Sequence, residues 1–137
     1  MNRRGAKDAK VEPARGVDAL AHAVIGAAIE VHRHLGPGYL EGIYEEALAV
    51  EFGLRDPQFE RQKPIAVSYK GYEIGEGRAD FVVGNNLLVE LKALEALAPI
   101  HTAQVISYLK ATACHVGLLI NFNVPTLKGG IRPVVLS

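Results

Sequence analysis

From Val17 onward the apolar residues fall into a helical rhythm. Val17, Leu20, Val24, Ala28, Val31 and Leu35 recur every three or four positions, and Ala21, Ile25 and Ile29 widen the stripe. This predicts a helix packed heavily along its inner side. Gly36-Pro37-Gly38 ends it, because glycine accepts the left-handed turn after a helix and proline cannot continue one. A second helix is predicted from Leu40 to about Phe52, with Leu40, Ile43, Tyr44, Ala47 and Leu48 on one face, closed by Gly53 and Asp56-Pro57.

The period then shortens to that of a strand. Ile65, Val67 and Tyr69 alternate with Ala66, Ser68 and Lys70, and Lys70-Gly71 turns the chain into Tyr72 to Ile74. Ala79 to Val83 and Leu87 to Leu91, joined by Gly84-Asn85-Asn86, carry apolar residues on both faces, so this hairpin belongs inside a sheet covered on both sides. A third helix is predicted from about Pro99 to Ala113, with Pro99 in its first turn. Strands at Val116 to Phe122 and Ile131 to Leu136 flank a loop at Pro125 to Gly130. The sum is an α/β chain: one central mixed sheet with helices on its faces and no second domain.

Composition fits that reading and narrows it. The 137 residues are 49% hydrophobic and 22% charged, with a single cysteine, Cys114, and no tryptophan. A chain of this size buries enough surface for a core without disulfides or a structural metal. The lone cysteine, the lack of any apolar run near the ~20 residues of a membrane span and the lack of a signal-peptide pattern point to a cytoplasmic protein. The net charge of zero argues at first against a nucleic-acid partner, yet it is a sum of two parts. Residues 1–16 hold Arg3, Arg4, Lys7, Lys10 and Arg15 against Asp8 and Glu12, a net of +3, and the remainder carries −3. Residues 1–16, with Gly5, Pro13 and Gly16 and no apolar rhythm, read as a flexible basic tail on a domain covering 17–137.

The candidate chemistry lies where charges interrupt the buried hairpin. Glu90 and Lys92, two apart on a strand, share a face. With a three-residue loop at 84–86, Val83 pairs with Leu87 and Asp80 stands opposite Glu90; a two-residue loop at 85–86 pairs Asp80 with Leu91 instead and sends Glu90 to the other face. The first register is favoured, with Asn86 taking the left-handed conformation that such loops need. Two carboxylates side by side in an apolar sheet are costly unless one is protonated or a cation lies between them, and oxygen ligands suit a hard ion such as Mg²⁺. The plain alternative is a Glu90–Lys92 or Asp80–Lys92 ion pair at a strand end. Among the five histidines none has zinc-site spacing, His101 being the nearest to the candidate residues, and Tyr39, Tyr69 and Tyr72 read as packing residues.

Asp80 followed by Glu90-Leu91-Lys92 resembles the PD-(D/E)xK nuclease motif. Gln104-Val105-Ile106-Ser107-Tyr108 resembles the QxxxY motif of its RecB-like members, and Gly38 to Tyr44 matches the signature of the GxxExxY proteins, a small branch of that superfamily. The similarity extends through Ile25 to His32, Gly77-Arg78-Ala79-Asp80 and Leu118 to Phe122. What the resemblance implies is a three-layer restriction-endonuclease-like fold and a nuclease using Mg²⁺ or Mn²⁺. Asp80 and Glu90 would be metal ligands with the Leu91 carbonyl, and Glu41, with Glu45 as its rival, would be the helix carboxylate. Lys92 would activate water and stabilise phosphate charge, with Gln104, Tyr108, Tyr44 and Arg78 near substrate. The implied partner is nucleic acid, DNA above RNA, with no membrane. A homodimer would supply two sites for a duplex, and a separate protein would supply targeting. The second reading is a non-catalytic nucleic-acid-binding or regulatory accessory domain that keeps the fold.

Overall fold

The computed structural model describes residues 6–55 and 57–136, with side chains from residue 16 onward. Two helices come first, α1 (Ala6–Leu35) and α2 (Glu41–Arg55). Three antiparallel strands follow: β1 (Phe59–Tyr69), β2 (Tyr72–Val83) and β3 (Leu87–Lys92). Helix α3 (Pro99–Lys110) then carries the chain over to β4 (Val116–Asn121), which runs parallel to β3, as a helical crossover allows. After a short 3₁₀ turn at Leu127–Gly130, β5 (Ile131–Val135) closes the sheet antiparallel to β4. The strand order is β1-β2-β3-β4-β5.

The sheet separates two cores. On one face Val24, Ala27, Ala28 and Val31 of α1 and Tyr44, Leu48 and Phe52 of α2 pack against Phe81, Val83, Leu87, Val89, Leu91, Leu118 and Ile120. On the other, Val105 and Leu109 of α3 cover Ile65, Ala79, Leu88 and Leu119. The result is the three-layer α/β arrangement expected, with β3 and β4 covered on both sides. Among the described residues no helix is long and apolar enough to cross a membrane.

Three departures from the sequence reading have physical causes. Helix α1 begins at Ala6, within the stretch expected to be tail, because Ala, Lys, Glu and Arg are strong helix formers whether or not they form an apolar stripe; residues 1–5 of that tail lie outside the described residues. Strand β2 runs unbroken through Gly75-Glu76-Gly77, since the ladder with β1 needs backbone groups and no side chains. Tyr69 and Tyr72 are not packing residues: they are 60% and 75% exposed at the tip of the β1–β2 hairpin.

Candidate active site

The turn between β2 and β3 sets the register. Gly84 and Asn85, with φ of 60° and 61°, take the left-handed conformation, and the Asn86 N–H donates to the Val83 carbonyl at 3.2 Å. Asn86 is therefore not the left-handed residue; Gly84 adopts that conformation without steric cost and Asn85 tolerates it. Val83 pairs with Leu87, Val82 with Leu88 and Phe81 with Val89, the register of a three-residue loop.

The backbone ladder then stops, and two side chains continue it. The Asp80 N–H donates to Glu90 Oε1 at 2.9 Å, and the Leu91 N–H donates to Asp80 Oδ2 at 2.7 Å. Each strand thus supplies a backbone donor to the other's carboxylate. Both side chains are buried, Asp80 at 8% and Glu90 at 5% exposure. The alternative of an ion pair is not formed: among the described residues no salt bridge joins Lys92 to Asp80 or Glu90.

The electrostatics follow from burial and like charge. Burial, reinforced by the Asp80 charge, pushes the Glu90 carboxyl up to about 8, against the pull of its hydrogen bond from the Asp80 N–H and of Lys92. Asp80 is raised by burial, with the Leu91 N–H working the other way and the Glu45 charge adding to the rise. Glu41, at the first turn of α2, is raised by partial burial and then by Asp80, while Lys92 lowers it. Its rival Glu45 accepts from Arg61 at 2.7 Å and from Gln62 at 2.8 Å, and through that glutamine it is joined to Asp80.

Among the described residues no three His, Cys, Asp or Glu side chains group closely enough to hold a metal by themselves. Asp80 and Glu90 nevertheless fit a hard divalent ion: they are oxygen donors, they are buried together, and their pKa values are raised by burial, with the Asp80 charge adding to the rise at Glu90, a cost that a cation would relieve. Glu90 Oε2 has no protein donor among the described residues, whereas Glu41 meets the pair through its charge alone.

Lys92 ends β3 beside Asn121 of β4. Asn121, 2% exposed, ties down the chain that leaves Lys92: its Oδ1 accepts from the Leu94 N–H and its Nδ2 donates to the Leu94 carbonyl, both at 2.9 Å. Lys92 opens onto a cavity of about 380 Å³ that it lines with His101, Gln104 and Ser107 of α3. His101 Nδ1 accepts the Ala98 N–H at 2.8 Å, which caps α3 and assigns the ring proton to Nε2. One turn beyond Gln104, the Tyr108 ring lies on the β2 backbone, so close that a Cβ at Gly77 would stand 2.7 Å from it.

Of the other residues expected near substrate, Tyr44 is in the core and Arg78 is at the surface. Tyr44 is 0% exposed, stacks on Phe122 with centroids 4.6 Å apart, donates its hydroxyl hydrogen to the Gly36 carbonyl and accepts the Tyr39 N–H. It is a core residue that fastens the α1–α2 turn, with its ring and hydroxyl fully buried. Arg78 is exposed two residues before Asp80, 3.8 Å from Glu76.

One residue escaped the sequence reading. Gln62 sits where the β1–β2 ladder skips, between the pairs Arg61–Phe81 and Lys63–Ala79, opposite Asp80. Its φ of 53° is left-handed, a costly conformation for a residue with a Cβ. Its Nε2 donates to Glu45 Oε1 and, at 3.2 Å, to Asp80 Oδ1, joining α2 to the site. A lone Gln ahead of the recognisable alternation at Ile65 carries no signal of that role.

A family model described as the PD-(D/E)XK nuclease superfamily matches residues 18–134. Curated proteins and solved structures give no match.

Proposed function

The chain belongs to the PD-(D/E)XK nuclease superfamily, and on that premise we propose that it is a metal-dependent nuclease hydrolysing phosphodiester bonds, with DNA as substrate. The motifs at Gly38 to Tyr44 and Gln104 to Tyr108 support assignment to the GxxExxY branch with its RecB-like helix motif. The observation that carries the reading is the pair of buried carboxylates, Asp80 and Glu90, bonded to one another's strands where the backbone ladder ends. Burial, reinforced by the Asp80 charge, raises Glu90 to about 8 and so weakens the metal-free fold at neutral pH, a cost that a bound cation would offset.

Asp80, Glu90 and the Leu91 carbonyl would hold Mg²⁺ or Mn²⁺, with Glu41 adding negative charge. Such an ion lowers the pKa of bound water and neutralises charge that develops on the phosphate. The residues of the chain do the rest. Lys92, with no ion pair among the described residues, binds a non-bridging phosphate oxygen and orients the attacking water. Gln104 donates from its amide to the same phosphate across the shared cavity, and His101 presents its Nε2–H there. Asn121 and Gln62 hold Lys92 and Asp80 in place through Leu94 and Glu45. A duplex cut on both strands requires two such sites, which a homodimer supplies; a targeting protein would direct it.

The deciding assay is cleavage of single-stranded, duplex and branched DNA, and of RNA, with and without Mg²⁺ or Mn²⁺. Wild type cuts DNA only with the ion, and Asp80→Ala and Lys92→Ala do not. Activity that survives chelation and both substitutions would end the reading.

A further inference from the structure

Beyond Asp80 the β1–β2 hairpin leaves the body of the sheet. Strand β3 pairs with β2 only over Phe81–Val83, so residues 72–79 of β2 and their partners on β1 form a two-stranded ribbon. Its two faces differ. Ile65 is buried under α3, and alternation along β1 places Val67 and Tyr69 on the same side. Directly paired residues share a face, which adds Gly75 and Tyr72; a bulge in β2 takes up Ile74 between them. Glu73 and Glu76 pair with Ser68 and Ala66 and belong to the opposite face.

From Ile65 to the tip, the α3-side face of the ribbon therefore carries no carboxylate among the described residues. It offers two exposed tyrosine rings, the Lys70 ammonium 5.4 Å from the Tyr69 centroid, and bare backbone at Gly75 with open space above it. This face runs directly into the candidate site: Tyr108 lies on Gly77, and Gln104, one turn away, shares its cavity with Lys92. From Asp80 to Tyr72 the strand reaches about 26 Å, at about 3.3 Å per residue.

We propose that this face of the ribbon binds an unpaired strand of nucleic acid leading to the Lys92 cavity, with bases stacked on Tyr69 and Tyr72 and a phosphate held by Lys70. The proposal rests on the nuclease reading and extends it to substrate form. Exposed rings beside a cation, on a face cleared of acids, suit stacked bases. A chain of zero net charge also has few cations to spare for counterion release, which leaves stacking to provide affinity. The glycine floor lets a sugar-phosphate chain lie close to the backbone.

Fluorescence anisotropy tests this with labelled single-stranded oligothymidylate, Ca²⁺ replacing Mg²⁺. Tyr69→Ala/Tyr72→Ala weakens binding by about tenfold or more, as the loss of two stacking platforms requires. Tyr69→Phe/Tyr72→Phe restores binding, because rings rather than hydroxyls do the stacking. Both double variants keep the wild-type unfolding midpoint and Mn²⁺ binding. An oligonucleotide too short to reach the tip binds wild type and the alanine variant equally. If wild type binds and cuts DNA but the alanine variant binds long oligonucleotides just as tightly, the ribbon proposal falls and the nuclease reading stands. The proposal also falls if the alanine variant instead splits a dimer in sedimentation with oligonucleotide binding unchanged, which would assign the face to a second copy of the chain. Wild type that neither binds nor cuts any nucleic acid overturns both.

Discussion

Asp80 and Glu90 close the β2–β3 pairing through their side chains: Glu90 accepts the backbone N–H of Asp80, and Asp80 accepts that of Leu91, the residue after Glu90. The same two carboxylates that would ligate an ion therefore hold the strands at their point of divergence. Metal binding at these carboxylates would thus be coupled to local stability.

The metal-free protein should lose stability as pH rises from about 4.5 to about 8. In this window the unfolded chain has released the Glu90 proton while the folded chain retains it, since burial and Asp80 hold its pKa near 8. The folded state binds more protons, so stability falls with pH, by a few kcal/mol in all. Asp80 and Glu41, also raised, act in the same direction. Thermal melts in a chelator across this range should show the decline, and Glu90→Gln should flatten it. A wild-type midpoint that climbs with pH would contradict the assignment.

Binding of Mg²⁺ or Mn²⁺ at pH 7 should release protons, because Glu90 must ionise to become a ligand. Calorimetry in two buffers of different ionisation enthalpy reads this directly. Affinity should weaken as pH falls, and Asp80→Ala should abolish the binding heat. Heat that persists in both Asp80→Ala and Glu90→Ala would locate the ion elsewhere.

Lys92→Ala should retain metal binding and the wild-type unfolding midpoint while losing activity by a factor on the order of 10² to 10³, the scale for removing one group that stabilises transition-state charge. Lys92→Arg keeps the charge but not the compact ammonium, and should recover little. Single-turnover cleavage at saturating metal separates this loss from weakened ion binding.

Gln62 should respond to its conformation and its amide separately. Gln62→Val forces a β-branched residue to a φ near 53° and should destabilise the fold by about 1–3 kcal/mol. Gln62→Gly relieves that strain yet removes the link from Glu45 to Asp80, so it should stay folded with weaker metal binding. Urea denaturation with metal titration distinguishes the two effects.

Tyr44→Phe should cost about 1 kcal/mol, since it leaves the half-buried Gly36 carbonyl and the Tyr39 N–H without the hydroxyl. Its kcat/KM should remain near wild type. A large fall in activity at unchanged stability would return Tyr44 to the substrate.

The sequence by itself determined the layers of this protein and its principal pair of acids. Helical spacing from Val24 to Val31 and apolar runs in β3 and β4 reflect burial, which is recorded in residue type. The position of Asp80 opposite Glu90 followed once the three-residue loop was chosen over the two-residue one, because a strand period of two leaves each register only one set of partners; the left-handed residues that close that loop are Gly84 and Asn85, where the sequence suggested Asn86.

Only the tertiary structure decided the rest. Tyr44 belongs to a motif, but whether a tyrosine faces core or solvent depends on where α2 lies against Phe122. Gln62 gains its role from a break in the ladder opposite Asp80, and Tyr69 and Tyr72 gain theirs because β3 ends its pairing at Phe81 and leaves the ribbon uncovered. Periodicity reports how much of a segment is buried. Which partner covers it, and where the cover stops, depends on contacts between segments far apart in the chain.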